Sequence, residues 1–89
     1  MEKIDQLRAE IDQIHVDLAR LFRQRLRLIQ KIWEIKRVST LPLIDAEREH
    51  KIIHQLDSTI QDPQEQITVQ NFFKNILSET QNYLKAKLK

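Results

Sequence analysis

From Ile4 to Ile35 one positional rule holds without a break. Ile4, Leu7, Ile11, Ile14, Leu18, Leu21, Arg25, Leu28, Ile32 and Ile35 follow one another at alternating steps of three and four. That is the seam of a long α-helix, because 3.5 residues per repeat keeps the same edge of the helix turned toward a neighbour. Neither proline nor glycine interrupts residues 2–37. At 1.5 Å per residue the predicted helix is about 54 Å long. It must end before Pro42, whose ring disfavours helical geometry at Leu41, so Ser39, Thr40 and Pro42 belong to a loop over 38–44.

Two shorter helices are predicted downstream. Asp45 is a good N-cap type, and Ile52, Ile53, Leu56 and Ile60 give the second helix an apolar side over about 45–60. Gln61-Asp62-Pro63 ends it, with Pro63 suited to the first turn of a third helix over about 64–87. Ile67, Val69, Phe72, Phe73, Ile76, Leu77, Tyr83, Leu84 and Leu88 form the apolar side of that helix. The expected fold is all-α, one domain over 1–89 with three helices, one of them very long.

Composition removes most other classes. The 89 residues contain no glycine and no cysteine. Glycine-rich phosphate loops, nucleophile elbows, disulfides and thiolate metal sites are therefore excluded. Fifteen basic against thirteen acidic residues leave a net charge of +2, too small to mark a nucleic-acid or membrane partner. Arg20, Arg23, Arg25, Arg27, Lys31, Lys36 and Arg37 make a local basic excess. They are spread round the helix without interleaved stacking aromatics, so nucleic acid is not expected. His50 and His54 are four apart, but no third ligand accompanies them and no metal is expected. The N-terminus is charged and lacks an apolar signal region, so the cytoplasm is the expected compartment.

Helix lengths then favour a dimer. The second and third helices, at about 24 Å and about 36 Å, cannot cover a 54 Å seam. A second copy can, with the two long helices pairing antiparallel about a two-fold axis into an intertwined homodimer.

Several charges lie where apolar residues belong. Arg25 interrupts the seam, and Arg8, His15, Phe22, Ile29 and Lys36 form a stripe beside it, spaced by seven. Asp45 and Glu49 border the apolar side of the second helix, with Arg48 between them. Arg25 and Lys36 are about 16 Å apart along the helix, within reach of one small molecule, whereas Arg8 is about 25 Å from Arg25. With the two-fold near residues 18–20, Arg8 of the partner falls opposite residues 28–32 and joins Arg25 and Lys36. Two arginines and a lysine among apolar walls suit a small dicarboxylate. The bland alternative is a snorkelling Arg25, a helix-capping acidic cluster and a non-enzymatic helical dimerisation module.

The series Arg8, Arg25, Lys36 and then Asp45-x-x-Arg48-Glu49 resembles the all-helical class of chorismate mutases, over almost the whole chain. The resemblance implies a free-standing, cofactor-free mutase converting chorismate to prephenate in two shared sites. Arg8 of the partner and Arg25 would hold the two substrate carboxylates, and Lys36 would donate to the ether oxygen. Glu49, with the backbone near Asp45, would take the ring hydroxyl, and Arg48 would support the carboxylate end. Aligning Phe73, Ile76 and Leu77 puts Thr80 at the family's hydroxyl position and Leu84 where the family has Gln or Glu. Leucine cannot donate to the ether oxygen, and Gln81, three residues earlier and about 60° round the helix, is the candidate substitute. An isochorismate pyruvate lyase, an amino-chorismate mutase and a weak mutase stimulated by a partner enzyme are the related alternatives.

Overall fold

The computed structural model describes residues 2–36 and 46–87. Three helices follow one another: α1 (Glu2–Lys36), α2 (Ala46–Asp57) and α3 (Pro63–Lys87). No strand occurs among the described residues. The loop expected over 38–44 and the start of the second helix at Asp45 lie outside them. None of the helices is long and apolar enough to cross a membrane. The chain divides into two units, one holding α1 and the other α2 with α3.

The first unit is the uninterrupted 35-residue helix that the seam predicts, about 52 Å long. Glu2 and Asp5 in its first turn and Lys36 in its last complement the helix dipole. Two sides of this helix differ. The apolar seam residues from Ile4 to Ile35 are 41–66% exposed in the single chain. Phe22, Arg25, Leu26, Ile29, Trp33 and Lys36 are half-buried along a second stripe.

The second unit is an antiparallel helical hairpin, and its turn is closed by side-chain and backbone bonds together. The second helix stops at Asp57, a turn short of the expected 60, for an identifiable reason. Ser58 Oγ donates to the Gln55 carbonyl at 2.7 Å and Thr59 Oγ1 to that of Leu56 at 2.8 Å. These hydroxyls take carbonyls that further helix would have used. The backbone tightens in step, with the Thr59 and Ile60 amides donating to the Leu56 and Asp57 carbonyls, each at 3.1 Å. The Gln66 amide then reaches back to the carbonyls of Asp57 and Ile60. Between them these bonds satisfy most of the acceptors that a helix C-terminus leaves open.

The third helix starts as its sequence predicts, one residue earlier than 64. Asp62 is its N-cap, accepting from the Gln64 amide at 3.2 Å, and Pro63 takes the first helical position. Two side-chain links cross the hairpin: Gln70 Nε2 to Asp57 Oδ2 at 2.7 Å, and Gln81 Nε2 to Glu49 Oε1 at 3.4 Å. From the first link to the second, α2 is retraced by eight residues and α3 advances by eleven. That antiparallel register places the N-terminal turn of α2 beside the C-terminal third of α3, which positions the site.

Candidate functional site

Each charged residue singled out in the sequence has a definite setting. On α1, Arg8 is exposed near the N-terminus, whereas Arg25 and Lys36 are half-buried. Eleven residues at 100° each bring Lys36 back to within about 20° of Arg25, so both cations share one face, about 16 Å apart. Both are engaged in polar or electrostatic contacts. Relative exposure on this helix is inverted: two cations are better covered than the leucines and isoleucines of the seam. Long charged side chains normally keep their heads in water, so covered cations need acceptors around them.

In the hairpin, Glu49 faces α3 and is half-buried, while Arg48 is exposed on the same turn of α2. The difference follows from the 3.6-residue period, which carries Glu49 together with Ile52, Ile53 and Leu56 on the inner side. Asp45 lies outside the described residues. On α3, Thr80 and Leu84 are 6% and 4% exposed, the two buried side chains among the described residues. Thr80 Oγ1 donates to the Ile76 carbonyl at 2.7 Å, so its proton is spent within its own helix. Leu84 presents only hydrocarbon. Half-buried Gln81 turns toward α2 and meets Glu49.

Glu49 and Gln81 open onto a cleft of about 470 Å³ between the two hairpin helices, walled also by Ile53, Gln70, Lys74 and Leu77. The structure thus joins Glu49 and Gln81 directly and puts Thr80 and Leu84 on the adjoining buried side of α3. The link from Gln70 to Asp57 and the Gln66 cap were not foreseen. A signal for them existed: Gln66 and Gln70, four apart, continue the stripe of Phe73, Leu77, Thr80 and Leu84 toward the turn. Polar residues on an inward stripe imply polar partners opposite. His50 and His54 are both exposed, and His50 lines the same cleft beside Glu49.

Known proteins resemble this arrangement. A chorismate mutase from Thermus thermophilus superposes with a TM-score of 0.81 at 29% identity, over 88% of this chain and 98% of that one. A bifunctional chorismate mutase/prephenate dehydratase from Aquifex aeolicus (strain VF5) is 39% identical over 56 residues. That match takes in 63% of this chain but only 16% of the relative's length. Residues 7–85 match the model of a family described as chorismate mutase type II. With that match over most of its length, and the same all-helical fold as a solved mutase, the chain belongs to the chorismate mutase type II family.

Proposed function

We propose that two copies of this chain make a chorismate mutase, each site built from one copy and completed by Arg8 of the other. The observation that carries this reading is the pair of covered cations, Arg25 and Lys36, on one face of a helix whose apolar seam is 41–66% exposed. Exposed leucines and isoleucines call for a second copy, since burying each contributes about 1.5–3 kcal/mol. Two half-buried cations on one face, about 16 Å apart, suit a small anion with two charged ends. Chorismate is a small dianion, and Arg25 with the partner's Arg8 holds its two carboxylates by forked, charge-assisted bonds. Arg48 supports the carboxylate end, and Thr80 and Leu84 supply the wall.

The reaction is a unimolecular rearrangement. The carbon–oxygen ether bond breaks as a carbon–carbon bond forms between the enolpyruvyl arm and the ring, with no atom gained or lost. The site has two tasks. It must fold the arm over the ring, which fixed carboxylates and a shaped wall accomplish by holding a near-attack conformer. It must also stabilise the negative charge that grows on the ether oxygen, a task that falls to the Lys36 ammonium. Glu49 accepts the ring hydroxyl and sets which face of the ring meets the arm.

The test is direct. The purified protein is incubated with chorismate, loss of ultraviolet absorbance is followed, and the product is identified by chromatography. Enzymes at the modest end accelerate about 10⁶-fold, and one missing donor removes about 10²–10³ of that. Prephenate is therefore expected at about 10³-fold or more over the spontaneous reaction; no acceleration sinks the reading.

Position 84 offers a second test. Leu84→Gln restores an N–H at the place where the family carries Gln or Glu, and kcat is expected to rise about tenfold or more. The same amide enters a site where the leucine is 4% exposed. In the ligand-free protein an amide without a partner there lowers stability by about 1–3 kcal/mol, seen as a lower melting temperature. Unchanged kcat would mean that residue 84 does not face the ether oxygen.

A further inference from the structure

We infer that Gln81 is the positioning residue of the hydroxyl-reading end, holding Glu49 in the orientation that accepts the ring hydroxyl, and that it is not a stand-in donor to the ether oxygen. This rests on the mutase reading above. Three observations lead to it. Gln81 Nε2 donates to Glu49 Oε1 at 3.4 Å, across the hairpin and 32 residues apart in sequence. Both side chains are half-buried and open onto the same cleft. The register that brings them together is fixed independently at the turn, by Gln70 on Asp57 and by the Gln66 cap.

The chemistry of the pair is one-directional. A carboxylate only accepts, and it offers about four lone-pair positions over its two oxygens. The Gln81 amide engages Oε1 and leaves Oε2 to the hydroxyl. At 3.4 Å the bond is longer than a full charge-assisted one, about 2.7–2.9 Å, so in the ligand-free chain it is a guide for the carboxylate rather than a clamp. An unrestrained glutamate has three side-chain torsions to lose on binding; one held from across the hairpin has already lost part of that freedom. Leu84 cannot perform this service, and Thr80 has given its proton to Ile76.

The experiment compares two substrates, chorismate and its analogue lacking the ring hydroxyl, with the unsubstituted protein and with Gln81→Met, which keeps length and removes the donor. The unsubstituted protein is expected to prefer chorismate. In Gln81→Met the ratio of kcat/KM for chorismate to that for the analogue is expected to fall about tenfold, the worth of one hydrogen bond to a charged group. Turnover of the analogue itself should change by less than about twofold, since it never uses the glutamate. Gln81→Leu repeats the test if the methionine variant melts early. Three results overturn the inference. An equal loss for both substrates that stays below about tenfold and comes with a lower melting temperature means a merely structural role. A loss of about 10²–10³ in kcat for both means donation to the ether oxygen after all. An unchanged ratio means that Glu49 needs no orienting. Failure of the unsubstituted protein to convert chorismate is a different result, seen before any substitution, and it overturns the mutase reading with this one.

Discussion

Lys36→Ala lowers kcat/KM for chorismate by about 10³, at or beyond the upper end of what losing a single preorganised donor costs. The size of the effect follows from what surrounds the lysine's task. Negative charge appears on the ether oxygen only as the bond breaks, so a group that meets it there acts on the transition state more than on bound substrate. In the usual family arrangement that oxygen has a second donor on the third helix. Here residue 84 is an aliphatic side chain 4% exposed. Thr80 donates to Ile76, and Gln81 donates to Glu49. In the proposed site Lys36 is then the donor on which the ether oxygen depends, with no second donor from residues 80, 81 or 84 to compensate for its loss. Lys36→Arg should rescue little, because a planar fork cannot place one compact charge where the ammonium stood. Circular dichroism should show the helices intact, since Lys36 sits in the last turn of α1 and its substitution removes no core packing. A variant with near-normal turnover would move catalysis to another residue.

The parts of this molecule differ in how legible they are from sequence, and the difference has a physical basis. A period of 3.5 sustained from Ile4 to Ile35 specifies α1 outright, because the signal repeats every turn and only one structure has that period. The start of α3 is equally plain: Asp62 and Pro63 act through neighbours only, one as a cap and one through its fixed φ. The end of α2 is less plain. Ile60 keeps the apolar period, yet Ser58 and Thr59 compete for the carbonyls, and the deciding cap comes from Gln66 in the next helix. The covered charges of the site were legible as misfits, since a cation or carboxylate on an apolar side must be answered by something. The pairing of Gln81 with Glu49 was not. It depends on the relative register of two helices, set by side chains at a turn whose partners lie 9 and 13 residues apart. Sequence alone offered Gln81 as a neighbour of the ether oxygen; the hairpin turns it toward the carboxylate.

Mixing two inactive variants should restore activity, and that outcome depends on where Arg8 acts. Arg8 and Arg25 are on one continuous helix, about 25 Å apart, so they cannot converge on one small dianion from the same chain. Arg8 is exposed and Arg25 half-buried, as expected if the first is offered to another copy and the second serves its own. Each single variant, Arg8→Ala or Arg25→Ala, should lose about 10² or more in kcat/KM, the cost of an unpaired substrate carboxylate. In a homodimer of either variant both sites lack one arginine. In a heterodimer one site lacks both, while the other has Arg25 from the first chain and Arg8 from the second and is whole. Unfolding and refolding an equimolar mixture gives half heterodimers, and half of their sites are intact. About a quarter of the unsubstituted activity should return. Simple mixing without refolding should restore it slowly, at the rate at which chains exchange. If both arginines instead served a site within one chain, no pairing of the variants could assemble an intact set, and the mixture would stay inactive. The same experiment tests the seam. With Leu18→Glu added to both variants, the proposed antiparallel pairing would bring a carboxylate near its own copy across the two-fold. Like charges forced together in a desolvated interface cost several kcal/mol, so the chains should run as monomers on size exclusion. Recovery should vanish with the dimer. Recovery from monomers would place Arg8 elsewhere and leave the 41–66% exposed seam to be covered in some other way.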